Sequence, residues 1–154
     1  MKTIILYASK YGATTEIAKK LADELGNAAL HNLKQPTPNL DEFGCIILGG
    51  SVYAGQARKE MKRFVAKNKN KLTKKPLWLF LSSLSEKDDL FTNNFSAEIL
   101  QHASAKVHLG GIYNPAKSNG IERFLMKKIL KTSSGVQKIE HRKIEQFAQK
   151  ILKQ

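Results

Sequence analysis

Cysteine is almost absent: Cys45 is the only one in 154 residues. No internal disulfide can form, and zinc sites built from paired Cys-x-x-Cys motifs are excluded. Cys45 opens an apolar run, so it reads as a buried, inert thiol. Long apolar runs are absent as well. Those at Ile4 to Ala8, Cys45 to Leu48 and Leu77 to Leu81 fall far short of the roughly 18 residues that span a bilayer. The run after Met1-Lys2-Thr3 stops within a few residues, so no secretory leader is expected and the cytoplasm is the expected compartment. Proline is scarce and no low-complexity stretch occurs, which excludes a disordered or fibrous chain. His31, His102, His108 and His141 stand apart without ligand spacing, so no metal site is expected. No Ser/His/Asp set is visible, and Asp88-Asp89 reads as solvated charge or a helix start. Acidic side chains are in short supply: 13 against 26 Lys and Arg, a formal charge of +13. Such a field attracts polyanions, whether nucleic acid, an anionic membrane or an acidic partner. The charge clusters in residues 58–75 and again in residues 111–154. Solvated helix faces account for such runs equally well, and no nucleic-acid motif accompanies them, so nucleic acid is disfavoured.

What is present is an alternation of apolar bursts and amphipathic stretches. The length fits a single domain, residues 1–154, that folds without a staple. Lys2 to Ala8, Ala28 to Leu33, Cys45 to Gly50, Leu77 to Ser82 and Lys106 to Ile112 read as strands. Thr14 to Leu25 reads as a helix, with Ile17, Leu21 and Leu25 on one face and Gly26 as its stop. Arg58 to Leu72, a segment around Phe95 to Ala103, and a last stretch carrying Ile144, Phe147, Ala148 and Ile151 read as further helices. Strands that are apolar throughout, not alternating, imply a parallel sheet covered on both faces. The expected architecture is α/β: a doubly wound five-stranded sheet with helices on both sides. Ligands of such folds sit beyond the carboxyl ends of the strands, at the switch point. The loops to examine are therefore those after the first, third and fourth strands.

The first of these is Ser9-Lys10-Tyr11-Gly12-Ala13-Thr14, leading straight into a helix. A helix N-terminus favours an anion, hydroxyls can donate to phosphate oxygens, and Gly12 lets a ligand approach the backbone. The loop matches neither G-x-x-x-x-G-K-[ST] nor G-x-G-x-x-G, which excludes an ATP-type loop and disfavours a dinucleotide site. A tight strand-to-helix turn is the plain alternative. The second loop is Ser51-Val52-Tyr53-Ala54-Gly55 after Gly49-Gly50, where Tyr53 is a candidate stacking ring and Gly55 a point of backbone freedom. The third is Ser82-Ser83-Leu84-Ser85.

These loops resemble those of the flavodoxin-like family, whose strand order is 2-1-3-4-5 and whose switch point holds FMN. The resemblance extends over nearly the whole chain. It is nearest to the branch of menaquinone-dependent protoporphyrinogen dehydrogenases, through Lys2 to Leu6, Gly12/Thr14 and Gly50 to Tyr53. Most distinctive are Gly110 to Pro115, Glu122 to Ile129 and Gly135. Tyr11 and Lys10 depart from the hydroxyl and small residues usual in flavodoxins, and Leu84 stands where a second aromatic is common. The resemblance implies that FMN is the cofactor. Ser9, Lys10, Tyr11, Gly12, Ala13 and Thr14 would hold its phosphate. Ser51, Val52, Tyr53, Ala54, Gly55, Ser82, Ser83 and Leu84 would hold its ring. No protein side chain is then expected to be catalytic, because the flavin carries the chemistry.

Three functions follow as expectations. The first is an oxidoreductase that moves electrons from a porphyrinogen-like donor to a quinone, as in heme biosynthesis. The second is an electron carrier between a protein donor and a redox-protein acceptor. The third is a polyanion-binding module without catalysis. A basic insert at about residues 114–135, expected to lie outside the core, precedes the last helix. Within it Ile121, Leu125 and Ile129 form one stripe, widened by Met126 and Leu130, and Arg123, Lys127 and Lys131 another. Phe124 and Lys128 share a face. An apolar face bordered by basic residues is the pattern of interfacial helices. Arg123, Lys127, Lys128 and Lys131 are thus expected to meet an anionic membrane surface or membrane partner, placing the protein peripherally on the inner face of the membrane.

Overall fold

A computed structural model describes residues 1–132 and 134–154. Ser133, within the expected insert at about residues 114–135, lies outside them. Strand β1 (Thr3–Ala8) is central, between β2 (Ala29–Asn32) and β3 (Cys45–Tyr53). Beyond β3 come β5 (Leu77–Ser82) and β6 (Ala105–His108), and all of these neighbours pair in parallel. The order β2-β1-β3-β5-β6 is the expected 2-1-3-4-5 once the short antiparallel β4 (Gln56–Ala57) on the end of β3 is set aside.

Successive side chains of a strand face opposite sides of a sheet. Ile4 and Leu6 therefore join Ile46, Leu48 and Leu79 on one side, while Ile5 joins Ile47 and Phe80 on the other. Helices α1 (Ala13–Leu25) and α6 (His141–Leu152) cover the second side with Ile17, Leu21, Ile144 and Phe147. The first side lies under α2 (Lys59–Leu72), α3 (Asp89–Asn94) and α4 (Ala97–His102), through Met61, Phe64, Phe91 and Ile99. Both faces are buried, which is why the strands had to be apolar throughout. The lysines of α2 lie outside that packed stripe, as its amphipathic spacing demands.

Four expectations are corrected. The fifth strand is not continuous from Lys106 to Ile112. It breaks at Leu109, and β7 (Gly110–Tyr113) leaves the sheet to pair antiparallel with β8 (Val136–Ile139). Gly110 makes the break: its φ of +90° is open to glycine, and a Cβ there would lie 1.9 Å from the Lys138 carbonyl oxygen. The third strand does not end at Gly50 but runs on to Tyr53, so Ser51 to Tyr53 are strand residues and only Ala54-Gly55 turn. Both turn residues have positive φ, as two-residue hairpins of the primed type require. The helix around Phe95 to Ala103 is shorter, α4 alone, because Ser96 takes its N-cap and accepts from the Ile99 N–H, and α3 precedes it as a separate helix from Asp89. Finally, the insert is not wholly outside the core. Helix α5 (Gly120–Leu130) buries Met126 against Tyr11 and Tyr113 in a small third cluster.

Candidate functional site

The carboxyl ends of β1, β3 and β5 lie side by side, so their loops gather at one edge of the sheet. Gly12 caps α1 with φ +95°, a conformation that costs other residues roughly 1–2 kcal/mol. No side chain caps this helix, which leaves the first-turn N–H groups aimed outward. The Ser9 hydroxyl accepts from the Gly12 N–H at 3.1 Å and shapes the loop.

Thr14, expected to offer its hydroxyl to an anion, is fully buried. Its Oγ1 lies 2.7 Å from Ser51 Oγ. Ser51 is buried too. Its hydroxyl accepts from the Lys10 N–H at 3.1 Å and donates to the Ala8 carbonyl at 3.4 Å. These two hydroxyls lace the first loop to β3 and do not face outward. The register explains this: Ala8 pairs with Gly50, so Ser51 emerges directly beside the loop. Ala13 is buried beneath them.

Tyr11 and Lys10 reach the other way. The Lys10 ammonium pairs with the Glu122 carboxylate of α5, and the Tyr11 hydroxyl donates to Glu122 Oε2 at 3.0 Å. Burial, followed by the nearby Arg58 charge, lowers the Lys10 pKa. The Tyr11 ring meets Tyr53 edge-on at 4.7 Å and Tyr113 at 5.9 Å. The Tyr53 hydroxyl donates to the Ile112 carbonyl at 2.5 Å, and burial pushes its pKa well above the usual tyrosine value.

Beside Tyr53 opens a cavity of about 470 Å³. Val52, Tyr53, Ala54 and Gly55 form one wall, and Ser83, Leu84 and Ser85 the opposite one. Met126, Ile129 and Leu130 of α5 form a third. The size lies in the range of cofactor and small-molecule sites. Ser82 ends β5 with its hydroxyl buried and unpartnered. Ser83 Oγ accepts from the Ser85 N–H, which tightens that loop. Gly111 packs here: a Cβ on it would stand 2.8 Å from the Ser83 carbonyl carbon. The hairpin of β7 and β8 thus presses on the loop after β5.

The cavity brings the second and third expected loops together. It does not include Ser9 to Thr14, which form a separate turn at the start of α1. Sequence reasoning missed several contributors. Asn94 is one: its amide donates to the Gly55 and Leu90 carbonyls and accepts from the Ala57 N–H, fastening the β3–β4 hairpin to α3. Lys87, Asp89, Leu90 and Asn93 also line it. Glu122 is the other. Its one available signal was being the sole acid of a basic segment. Among the described residues no three His, Cys, Asp or Glu side chains converge as a metal site.

The profile of the Flavodoxin domain family matches residues 4–140. Protoporphyrinogen IX dehydrogenase (quinone) of Escherichia coli strain K12 is 26% identical over 150 residues, covering 88% of this chain and 82% of that protein. In fold, the chain is similar to oxidised flavodoxin 1 from Bacillus cereus, with TM-score 0.67 at 15% identity, covering 99% of this chain and 98% of the other. It is also similar to a flavoprotein in complex with FMN from Lactobacillus acidophilus NCFM. There the TM-score is 0.54 at 18% identity, over 71% and 91% of the two chains.

Proposed function

This chain belongs to the flavodoxin domain family, and on that premise we propose that it is an FMN-dependent oxidoreductase that oxidises a porphyrinogen-like donor and reduces a quinone. The residues present fit the cofactor. The uncapped first turn of α1, with the open Gly12, offers backbone N–H groups to a phosphate. The cavity between Val52–Gly55 and Ser83–Ser85 suits a flat ring, and the orphaned Ser82 hydroxyl is a polar group in want of a partner. When bound, FMN supplies the uptake and release of electrons and hydrogen.

The chain's own residues bind, orient and shield. Ser9, Lys10, Tyr11, Gly12 and Ala13 would hold the phosphate, with Thr14 and Ser51 stiffening the turn from behind. Tyr53, fixed by its bond to Ile112, would present a ring edge to the flavin. Leu84, Met126 and Leu130 exclude water from that space. Each turnover would take two electrons and two protons from the donor and deliver them to the quinone as quinol.

The observation that carries this reading is the third wall of the cavity. The apolar flank of α5 alongside the ring site adds an apolar wall against which an apolar substrate can lie, which a carrier that touches partners only by its exposed ring edge does not need. The 26% identity to a quinone-linked dehydrogenase supports the same reading. The full-length likeness in fold to a flavodoxin favours the second reading, an electron carrier.

One set of assays separates the two. Apoprotein titrated by fluorescence quenching should bind FMN more tightly than riboflavin, and equal affinities would remove the phosphate turn from the site. Anaerobic protoporphyrinogen IX with a menaquinone acceptor should then yield porphyrin and quinol. No turnover, together with rapid reduction by a flavodoxin reductase, would establish the carrier instead.

A further inference from the structure

Helix α5 has two faces of different fate. Glu122, Met126 and Leu130 recur every four residues and turn inward, to Lys10, Tyr11 and the small aromatic cluster. The opposite side holds Ile121, Phe124, Leu125 and Ile129, which are 74%, 69%, 37% and 53% exposed. Seven large apolar residues are exposed among the described residues, and four of them lie on this one eleven-residue helix. Side chains this apolar are not needed to hold the helix, because its inner face does that. Their exposure asks for a partner.

The charges around them say which kind. Lys117, Arg123, Lys127, Lys128 and Lys131 all lie in residues 114–131 and are exposed. None forms an ion pair among the described residues. The segment's single acid, Glu122, is turned inward and spent on Lys10 and Tyr11. The outward surface is therefore apolar and purely cationic. Lys128 lies between Phe124 and Ile121 around the helix, and a long lysine stem can lie along apolar surface while its ammonium reaches a headgroup.

We propose that the outer face of α5 docks on an anionic lipid surface, with Phe124 and Ile121 entering the headgroup boundary and the basic side chains pairing with lipid phosphates. No helix of the described residues is long and apolar enough to cross a membrane, so the contact is interfacial. The docking has a consequence for the site. Ile129 is both half-exposed on the outer face and part of the cavity wall, and Leu130 and Met126 continue that wall inward. Lipid contact at α5 thus brings the α5 wall of the cavity, at Ile129, to the bilayer surface. An apolar acceptor dissolved in the lipid could then pass from membrane to cavity along α5. This second step rests on the quinone reading above, but the docking itself does not.

The test is co-sedimentation of FMN-loaded protein with phosphatidylcholine vesicles and with mixed phosphatidylcholine/phosphatidylglycerol vesicles, across a salt series. The protein should pellet with the anionic vesicles alone and be released by salt. Joint replacement R123Q, K127Q, K128Q and K131Q should lower partitioning at least about a hundredfold, and F124S with I121S at least about tenfold. Both variants should keep the flavin spectrum of the parent, because none of these side chains holds the cofactor. Four outcomes overturn the proposal: no binding to anionic vesicles, equal binding to neutral ones, binding undiminished in both variants, or a dimer in sedimentation equilibrium that F124S with I121S dissolves. The last would make the face a contact between copies. Vesicle binding without porphyrinogen turnover would leave the docking standing and remove the enzymatic reading; turnover without vesicle binding would do the reverse.

Discussion

At the residue scale, the Lys10–Glu122 pair is the contact that bears most directly on the proposed phosphate turn. Glu122 places a carboxylate beside the turn that the proposed function assigns to a phosphate. Two anions would compete there for one ammonium. Glu122→Gln keeps an acceptor for the Tyr11 hydroxyl, removes the competing charge and frees Lys10. It should tighten FMN by about three- to tenfold and leave riboflavin unchanged. Parallel shifts for both flavins in a fluorescence titration would instead make Glu122 only a strut for α5. His108 shows the opposite design. It ends β6 buried against Phe91, with neither ring nitrogen partnered. Burial lowers its pKa, with Glu86 and Asp88 opposing. The unfolded chain then binds a proton near pH 6.5 that the folded chain refuses until lower pH. Stability is full above that value and falls as pH drops toward the folded pKa. Thermal melts of the parent should show this acid loss, and His108→Leu should flatten it; an unchanged slope would acquit His108.

At the element scale, the ring cavity depends on how a two-residue hairpin is held. The β3–β4 turn carries Ala54 and Gly55, and among the described residues its one side-chain fastening to α3 is Asn94, which makes bonds of 2.8–3.0 Å to Ala57, Gly55 and Leu90. Asn94→Ala removes the acceptor of the Ala57 N–H and the side-chain donor to the Gly55 carbonyl. It should cost roughly 1–3 kcal/mol by urea denaturation. FMN affinity should fall with it, because the wall of Val52 to Gly55 loosens. A variant that loses stability with undiminished affinity would separate the hairpin from ring binding. The β7–β8 hairpin is the other device. Gly110 turns it out of the sheet, and Gly111 lets it press on the loop after β5. It positions α5 over the cavity, so the insert is a wall of the site as well as an exposed surface.

At the scale of the whole molecule, 26 cationic against 13 anionic side chains repel one another. Seven ion pairs are present among the described residues, most of them exposed. Exposed pairs contribute little, roughly 0–1 kcal/mol each. Self-repulsion is therefore left to solvent ions to screen. The melting temperature should rise from low to physiological ionic strength, and more with phosphate or sulfate than with chloride at equal ionic strength. A melting temperature that falls with salt would mean that the ion pairs outweigh the repulsion.

The sequence by itself determined the parallel sheet; its order came with the family resemblance, and the edge at the strands' carboxyl ends was the place expected for a ligand. Strands covered on both sides must be apolar throughout, so Ile4 to Leu6, Cys45 to Leu48 and Leu77 to Leu81 declare themselves locally. The turn at Gly12 was legible for the same reason: a strand, a glycine and a helix in six residues leave few conformations. Other features were decided only in three dimensions. Leu109 to Ile112 is as apolar as a sheet strand, and nothing local says that it pairs with Val136 to Ile139. Thr14 and Ser51 looked like free hydroxyls until the β1–β3 register set them face to face. Glu122 meets Lys10 across 112 positions in the chain. The inward turn of Met126, against the outward turn of Phe124 two positions away, depends on where Tyr11 and Tyr113 stand. Hydrophobic pattern is a property of neighbours in sequence, whereas a hydrogen bond or a cavity wall needs two distant segments at one place, and only the folded chain supplies that coincidence.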